Sequence, residues 1–155
     1  MNNRIITTYG QDIWKMTIDV LEKSELGKMI PRVALIGIKP NLVVSKPSSS
    51  GATTSPVIVS AFIEYLKEHG HDNIVILESS WVGDSTKRAF KICGYEDISK
   101  KYNVPLFDIK QDTYTVKTYN GMNMEVSSKV LSLDFLINVS VLKGHCQTLM
   151  TGALK

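Results

Sequence analysis

Runs of consecutive apolar residues alternate with helical segments along most of this chain. The runs are Val33 to Ile38, Asn73 to Leu77, Pro105 to Asp108 and Asp134 to Leu142. Strands that are apolar at every position are typical of parallel sheets, in which helices cover both faces. The order strand, helix, strand therefore predicts an α/β fold with a doubly wound, mostly parallel sheet, flanking helices and right-handed crossovers.

Capping residues and apolar periodicity predict the helices between these runs. They are Gln11 to Met29, Pro56 to Glu68, a short helix from Asp84 or Ser85 through Ile92, and Glu96 to Tyr102. Gly27, Gly70 and Gly94 are the predicted helix ends. His69 and His71, on either side of Gly70, are expected to face solvent at a helix C-terminus, where they favour the helix dipole.

The last third of the chain contains a hairpin signal. Tyr114 to Thr118 and Met122 to Val126 alternate in polarity and flank Asn120-Gly121, the dipeptide that favours a two-residue β-turn. This pattern predicts an edge β-hairpin with one wet face. Asp134 to Leu142 is interpreted as a central strand, and Thr148 to Lys155 as the start of a helix.

Composition limits the function classes. The 155 residues form one predicted domain, 1–155, with 43% hydrophobic and 21% charged residues. A net charge of +3, evenly spread, argues against a nucleic-acid partner. Every apolar stretch is shorter than the ~18 residues of a membrane span, so we expect no membrane association. The N-terminus lacks the apolar core of a secretory signal, which predicts a cytoplasmic protein.

Two cysteines, Cys93 and Cys146, lie far apart in the sequence. Two free thiols in a reducing cytosol is the favoured interpretation, with a single disulfide as the alternative. Since there is no C-x-x-C motif, we predict neither a metal site nor a cofactor within this chain.

Three predicted strands end in polar sequences. These are Lys39-Pro40-Asn41, Glu78-Ser79-Ser80 and Lys143-Gly144-His145. In open parallel sheets, ligands bind beyond the carboxyl ends of the strands, where the strand order reverses. We therefore expect the three segments to meet at one edge of the sheet and form a ligand site.

The residue types at this edge favour a small anionic ligand. Lys39 and Lys143 would supply two cations, although each lysine could instead extend to solvent from a strand end. Asn41 is either a ligand contact or a residue that fixes the turn after Pro40. Thr53 and Thr54 precede a helix, where free N–H groups bind anions, but they also suit an ordinary helix start.

Glu78 and His145 are the candidate catalytic residues, because a carboxylate and an imidazole can exchange protons with a substrate. For Glu78 the alternative is a structural carboxylate that accepts hydrogen bonds from loop amides or pairs with Lys39. Ser79 and Ser80 are either ligand contacts or turn formers.

Four segments together resemble the "domain of unknown function 362" (DUF362) family, often labelled iron–sulfur centre proteins. They are Ile38 to Leu42, Gly51 to Pro56, Glu78 to Ser80 and Leu142 to His145. The resemblance implies a longer protein, of which this chain is the N-terminal portion, and an electron-transfer partner. Many members carry closely spaced cysteines, so a 4Fe–4S cluster belongs to the full-length family context, whereas this chain lacks that cysteine stretch.

Two hypotheses follow. The first is half of the active site of an enzyme in anaerobic or redox metabolism that acts on a small anionic substrate. The second is a non-catalytic anion-binding or assembly domain, and self-association through an open sheet edge is expected in either case. Glu78 and His145 facing one ligand would favour the enzyme.

Overall fold

A computed structural model describes residues 4–145 and 149–153 and contains both helices and strands. The helices are α1 (Ile13–Ser24), α2 (Leu26–Met29), α3 (Pro56–Glu68), α4 (Thr86–Ile92), α5 (Tyr95–Tyr102) and α6 (Ser128–Leu131). The strands are β1 (Ile36–Pro40), β2 (Ile74–Glu78), β3 (Leu106–Asp108), β4 (Tyr114–Tyr119), β5 (Met122–Ser127), β6 (Phe135–Val139), β7 (Lys143–His145) and β8 (Leu149–Thr151). Two 3₁₀ turns cover Ser48–Ser50 and Ile109–Gln111.

The main sheet has four parallel strands in the order β3-β2-β1-β6, which confirms the α/β prediction. The chain moves outward from β1 to β2 to β3, and then returns to the other side of β1 to form β6. The strand order therefore reverses between β1 and β6, where ligands bind in folds of this type. The prediction that β6 is central was wrong: it is the last strand of the described sheet, and Leu136 is 45% exposed.

The core lies mainly between the sheet and the three helices that connect its first strands. Ile36 and Ile38 of β1 are fully buried in one cluster with Val59 and Ile63 of α3 and Phe90 of α4. Apolar residues at alternate positions of β1 and β2 therefore hold the crossover helices against the sheet.

The other face of β1 is tightly packed at Gly37. A Cβ atom at this position would lie 2.4 Å from Leu133 Cδ1 and 2.7 Å from Leu77 Cδ2. Glycine is needed here because the segment before β6 packs directly against the β1 backbone.

The first helix ends earlier than predicted. Ser24 is the last residue of α1, and Glu25 adopts a left-handed conformation (φ 55°) before α2 continues through Gly27. Gly27, the predicted helix end, therefore lies within α2. It allows close packing, since a Cβ there would lie 2.6 Å from the His69 ring. The prediction that His71 faces solvent was also wrong: it is buried, with Nε2 3.0 Å from the Gly27 carbonyl oxygen, because α2 covers the end of α3.

The predicted hairpin is present, but β4 and β5 form a sheet of their own and every residue of β4 is exposed, so the predictions of an edge of the main sheet and of a single wet face were wrong. Among the described residues, the predicted C-terminal helix is not formed. Strands β4 and β5 pair over six residue pairs, and Asn120 and Gly121 both have positive φ, as a type I′ turn requires. Leu149–Thr151, predicted to be helical, forms β8 and pairs with β7, because ladder bonds to a neighbouring strand outweigh local helix propensity. Thr148 and residues 154–155 lie outside the described residues, as does Cys146.

Candidate functional site

The carboxyl ends of β1 and β2 and the β7–β8 ribbon surround one cleft of about 650 Å³. Six of the nine predicted site residues line it: Lys39, Asn41, Glu78, Ser79, Lys143 and His145. Val43, Trp81, Thr151 and Gly152 complete the lining. Segments more than one hundred residues apart in sequence therefore meet at the edge where the strand order reverses.

Glu78, the last residue of β2, is the most buried ionisable group of the cleft, with 3% of its surface exposed. Its Oε1 accepts a hydrogen bond from the Ser79 N–H (2.9 Å), and its Oε2 accepts one from the Leu42 N–H (3.4 Å). Burial raises the pKa of the Glu78 carboxyl, and the Lys39 ammonium and these two amides only partly oppose the rise. A carboxyl with a raised pKa is suited to carry a proton closer to neutral pH.

Lys39, near the end of β1, is the ion-pair partner of Glu78. Its Nζ lies 3.2 Å from Glu78 Oε2 and 3.4 Å from the Pro40 carbonyl oxygen. About a third of the Lys39 side chain remains exposed. The ion pair with Lys39 and the bonds from loop amides are the contacts expected if Glu78 has a structural role. Both side chains nevertheless line the cleft as well.

Lys143 and Asn41 connect the β7–β8 ribbon to the loop after β1. Lys143 Nζ donates to Asn41 Oδ1 (2.7 Å) and to the Ala52 carbonyl oxygen (2.5 Å). Asn41 thus positions a cation as well as following the Pro40 turn. The Lys143 ammonium is held against the loop after β1, the same loop whose Leu42 N–H donates to Glu78.

Thr53 and Thr54 are buried, and their hydroxyls donate hydrogen bonds to backbone carbonyl oxygens of this chain. Thr53 Oγ1 donates to the Lys46 carbonyl oxygen (2.9 Å). Thr54, 1% exposed, donates to the Val139 carbonyl oxygen (2.7 Å) and accepts from the Asn41 N–H (2.8 Å). Both threonines line a second cavity of about 540 Å³, in which Ser48, Ser49 and Ser55 also lie.

Ser79 and Ser80 differ in their surroundings. Ser79 is exposed and lines the cleft, whereas Ser80 is buried, and its Oγ donates to the Asp84 carbonyl oxygen (3.1 Å). Of the two residues predicted to begin α4, Ser85 is its cap, whereas Asp84 Oδ2 accepts a hydrogen bond from the Ser45 N–H (2.7 Å). Ser80 and Asp84 therefore fix the loop after β2 and the loop after β1.

Lys110 and Trp81 belong to this region and were not predicted from the sequence. Lys110 Nζ donates to Ser80 Oγ (3.0 Å) and to the carbonyl oxygens of Trp81 (2.9 Å) and Asp84 (2.7 Å). A lysine in a polar segment after β3 carries no local signal for such a role. Trp81 did carry a signal that could have been used, because it is an aromatic residue in a loop rich in Ser and Gly.

The donor atoms of this chain do not fit an iron–sulfur cluster. Within residues 4–145 and 149–153, no group of three or more His, Cys, Asp or Glu side chains could hold a metal ion. Cys93 is buried, its Sγ donates to the Lys46 carbonyl oxygen (3.1 Å), and burial raises the pKa of its thiol. The sequence contains two cysteines, fewer than the four thiolates of a 4Fe–4S site.

Comparison with known proteins identifies the family. The sequence profile described as "Domain of unknown function (DUF362)" matches residues 36–155, from the first residue of β1 onward. The chain belongs to the DUF362 family. All nine predicted site residues lie within the part of the chain that matches DUF362.

A curated relative extends this comparison. The chain is similar to a thylakoid-associated protein of Synechocystis sp., with 23% identity over 118 residues. The match covers 76% of this chain and 36% of the relative, so the chain spans about a third of the relative's length. No solved structure matches the DUF362 chain. In the described part of the chain, the helices are all too short or too polar to cross a membrane.

Proposed function

We propose that the cleft binds a small anionic substrate and forms half of the active site of an enzyme in anaerobic or redox metabolism. The observation that carries this proposal is the placement of two lysines and a buried carboxyl group around one opening at the strand-order reversal. Lys39, near the end of β1, and Lys143, the first residue of β7, both line the cleft, so an anion between them would meet two positive charges.

The buried carboxyl supports proton transfer in addition to binding. Glu78 would accept a proton from the bound substrate, leaving the electron pair on the substrate, and His145, which lines the same cleft, would exchange a proton with another atom of the substrate. Burial favours the neutral form of Glu78, which makes its carboxylate a stronger base than an exposed one. Water exclusion would come from parts of a longer protein that cover the cleft.

The family resemblance adds an electron-transfer partner and a 4Fe–4S cluster carried outside this chain, in a cytoplasmic protein. Both belong to the proposal for the full-length protein. The relative is described as thylakoid-associated, and its length leaves room for further segments. Spectroscopy of full-length protein expressed anaerobically would test for the cluster directly.

A second candidate function is anion binding without turnover, and one observation favours it. Both oxygens of Glu78 already accept hydrogen bonds or an ion pair from Ser79, Leu42 and Lys39. A carboxylate held in this way would serve to orient the Lys39 ammonium toward the ligand.

Anion binding can be tested by isothermal titration calorimetry with inorganic phosphate and with acetate. The informative variant is Lys39→Met combined with Glu78→Gln, because it removes the ion pair without leaving a buried charge alone. We expect this double variant to stay folded and to lose at least tenfold in affinity. Lys100→Ala, which removes an exposed charge on α5, is the matched control and should bind as the wild type does.

Two results would separate the candidates. If Glu78→Gln binds the anion normally but the full-length protein loses turnover of a substrate found by metabolite screening, the enzyme is supported. If Glu78→Gln weakens binding as strongly as the double variant does, Glu78 acts by orienting Lys39. Equal binding by wild type and double variant would refute an anion site in this cleft.

A further inference from the structure

Trp81 forms an aromatic wall of the cleft, and the proposed function so far gives it no role. Its surface is 58% exposed, which is a large apolar area for a loop residue beside a charged opening. The backbone of Trp81 is nevertheless fixed. Its N–H donates to the Val43 carbonyl oxygen (3.0 Å). Its own carbonyl oxygen accepts from Lys110 Nζ and from the Asp84 N–H, each at 2.9 Å.

The ring of Trp81 lies close to Gly83. A Cβ atom at Gly83 would lie 2.0 Å from Cζ3, 2.3 Å from Cη2 and 2.7 Å from Cε3 of the indole. The six-membered ring therefore occupies the space that a side chain at position 83 would take. The backbone bonds of Trp81 hold the loop in place, so less loop ordering is needed when a ligand contacts the indole.

The cleft is larger than a bare anion requires. Its volume of about 650 Å³ lies in the range of pockets that enclose ligands with many atoms. Lys39, Glu78, Lys143 and His145 are the ionisable residues of its lining, and Trp81 is the aromatic residue, bonded through its N–H to Val43. A ligand whose anionic group meets the lysines would place the remainder of its structure near the indole.

We propose that the ligand of this cleft is an anion joined to a planar unsaturated ring, which stacks on Trp81. This inference rests on the proposed anion site and adds the second half of the ligand. Flat rings gain from stacking on indole through dispersion and through the ring quadrupole, whereas a bare phosphate or acetate gains nothing from it.

The test compares matched probes by calorimetry: phenyl phosphate against inorganic phosphate, and benzoate against acetate. We expect each aromatic probe to bind wild-type protein about 2- to 12-fold more tightly than its small counterpart. Trp81→Ala should remove this preference while leaving the affinity for inorganic phosphate unchanged. Trp81→Phe should retain most of it, and Gly83→Ala should reduce it by displacing the ring.

Fluorescence gives an independent readout, because the sequence contains two tryptophans and Trp14 lies in α1. In a Trp14→Phe background, phenyl phosphate should change the Trp81 emission, whereas inorganic phosphate should change it little. Equal affinities for the two members of each pair, with binding that still requires Lys39, would refute stacking and leave the anion site standing. Binding of both probes that is insensitive to Lys39→Met with Glu78→Gln would refute the anion site and this inference together.

Discussion

Thr54→Val should destabilise the protein strongly, although valine and threonine have nearly the same shape. The Thr54 hydroxyl is the link between the loop after β1 and the end of β6: it accepts from the Asn41 N–H and donates to the Val139 carbonyl oxygen. Valine leaves both backbone groups without this partner at a site that is 1% exposed. A buried polar group without a partner costs about 1–3 kcal/mol, so two of them should cost about 2–4 kcal/mol after partial relaxation.

Urea unfolding followed by circular dichroism measures this effect. With a slope of about 2 kcal/mol per molar urea, the unfolding midpoint should fall by about 1–2 M. Thr118→Val is the matched control, since its hydroxyl bonds to Asn123 on the exposed hairpin and its loss should change stability by less than about 0.5 kcal/mol. A Thr54→Val midpoint within about 0.2 M of the control would show that the two strand ends do not depend on this hydroxyl for their connection.

Three further predictions follow from groups described above. Because burial raises the pKa of Glu78 above its ordinary value of 4.5, the unfolded chain ionises first as the pH increases. Wild-type stability should therefore fall relative to Glu78→Gln as the pH rises above 4.5 and through the folded pKa; urea midpoints that change in parallel with pH would contradict this. Gly37→Ala should cost about 1–3 kcal/mol by overpacking against Leu133 and Leu77, and adding Leu133→Val should recover part of that loss in thermal unfolding. Asp112→Asn should speed amide hydrogen exchange in β4 and β5 but not in α3, because its carboxylate binds Ser127 Oγ and the Lys129 N–H at the base of the hairpin; unchanged exchange would be the contrary result.

The elements that could be predicted are those whose signal is local. The apolar runs gave the four sheet strands to within about three residues at most ends, and Asn120-Gly121 located the hairpin turn correctly. Pro56 marked the start of α3, and Gly70 follows its C-cap with a positive φ. Each of these depends on backbone preferences of residues in sequence contact.

The errors concern contacts between distant segments. Whether an apolar strand is central or terminal depends on which neighbours pair with it, and the composition of β6 carries no information about that. The burial of His71 depends on α2, which precedes it by more than forty residues. Leu149–Thr151 became a strand because β7 offers a partner, against its local helical pattern.

The candidate site was predictable in its location and not in its internal contacts. The rule that strand C-termini converge accounts for Lys39 and Glu78, whereas Lys143 was predicted to follow the last sheet strand and instead reaches the cleft on β7, after β6 has ended at Val139. The bonding of Thr53, Thr54 and Ser80 to the chain itself depends on side-chain directions that spacing does not reveal. Lys110 was missed for the same reason, since its importance comes entirely from the three oxygen atoms it reaches.

The segments that line the cleft differ in how many hydrogen bonds hold them in place. The loop after β1 is attached to its surroundings at Asn41, Leu42, Val43 and Ser45, through bonds that reach Thr54, Glu78, Trp81 and Asp84. Another segment is the β7–β8 ribbon, whose described pairing extends over three residue pairs. A two-stranded ribbon of that length has little stability of its own. Adjustment to ligands of different size should thus occur by displacement of the ribbon that carries Lys143 and His145, while Lys39 and Trp81 act as a fixed template.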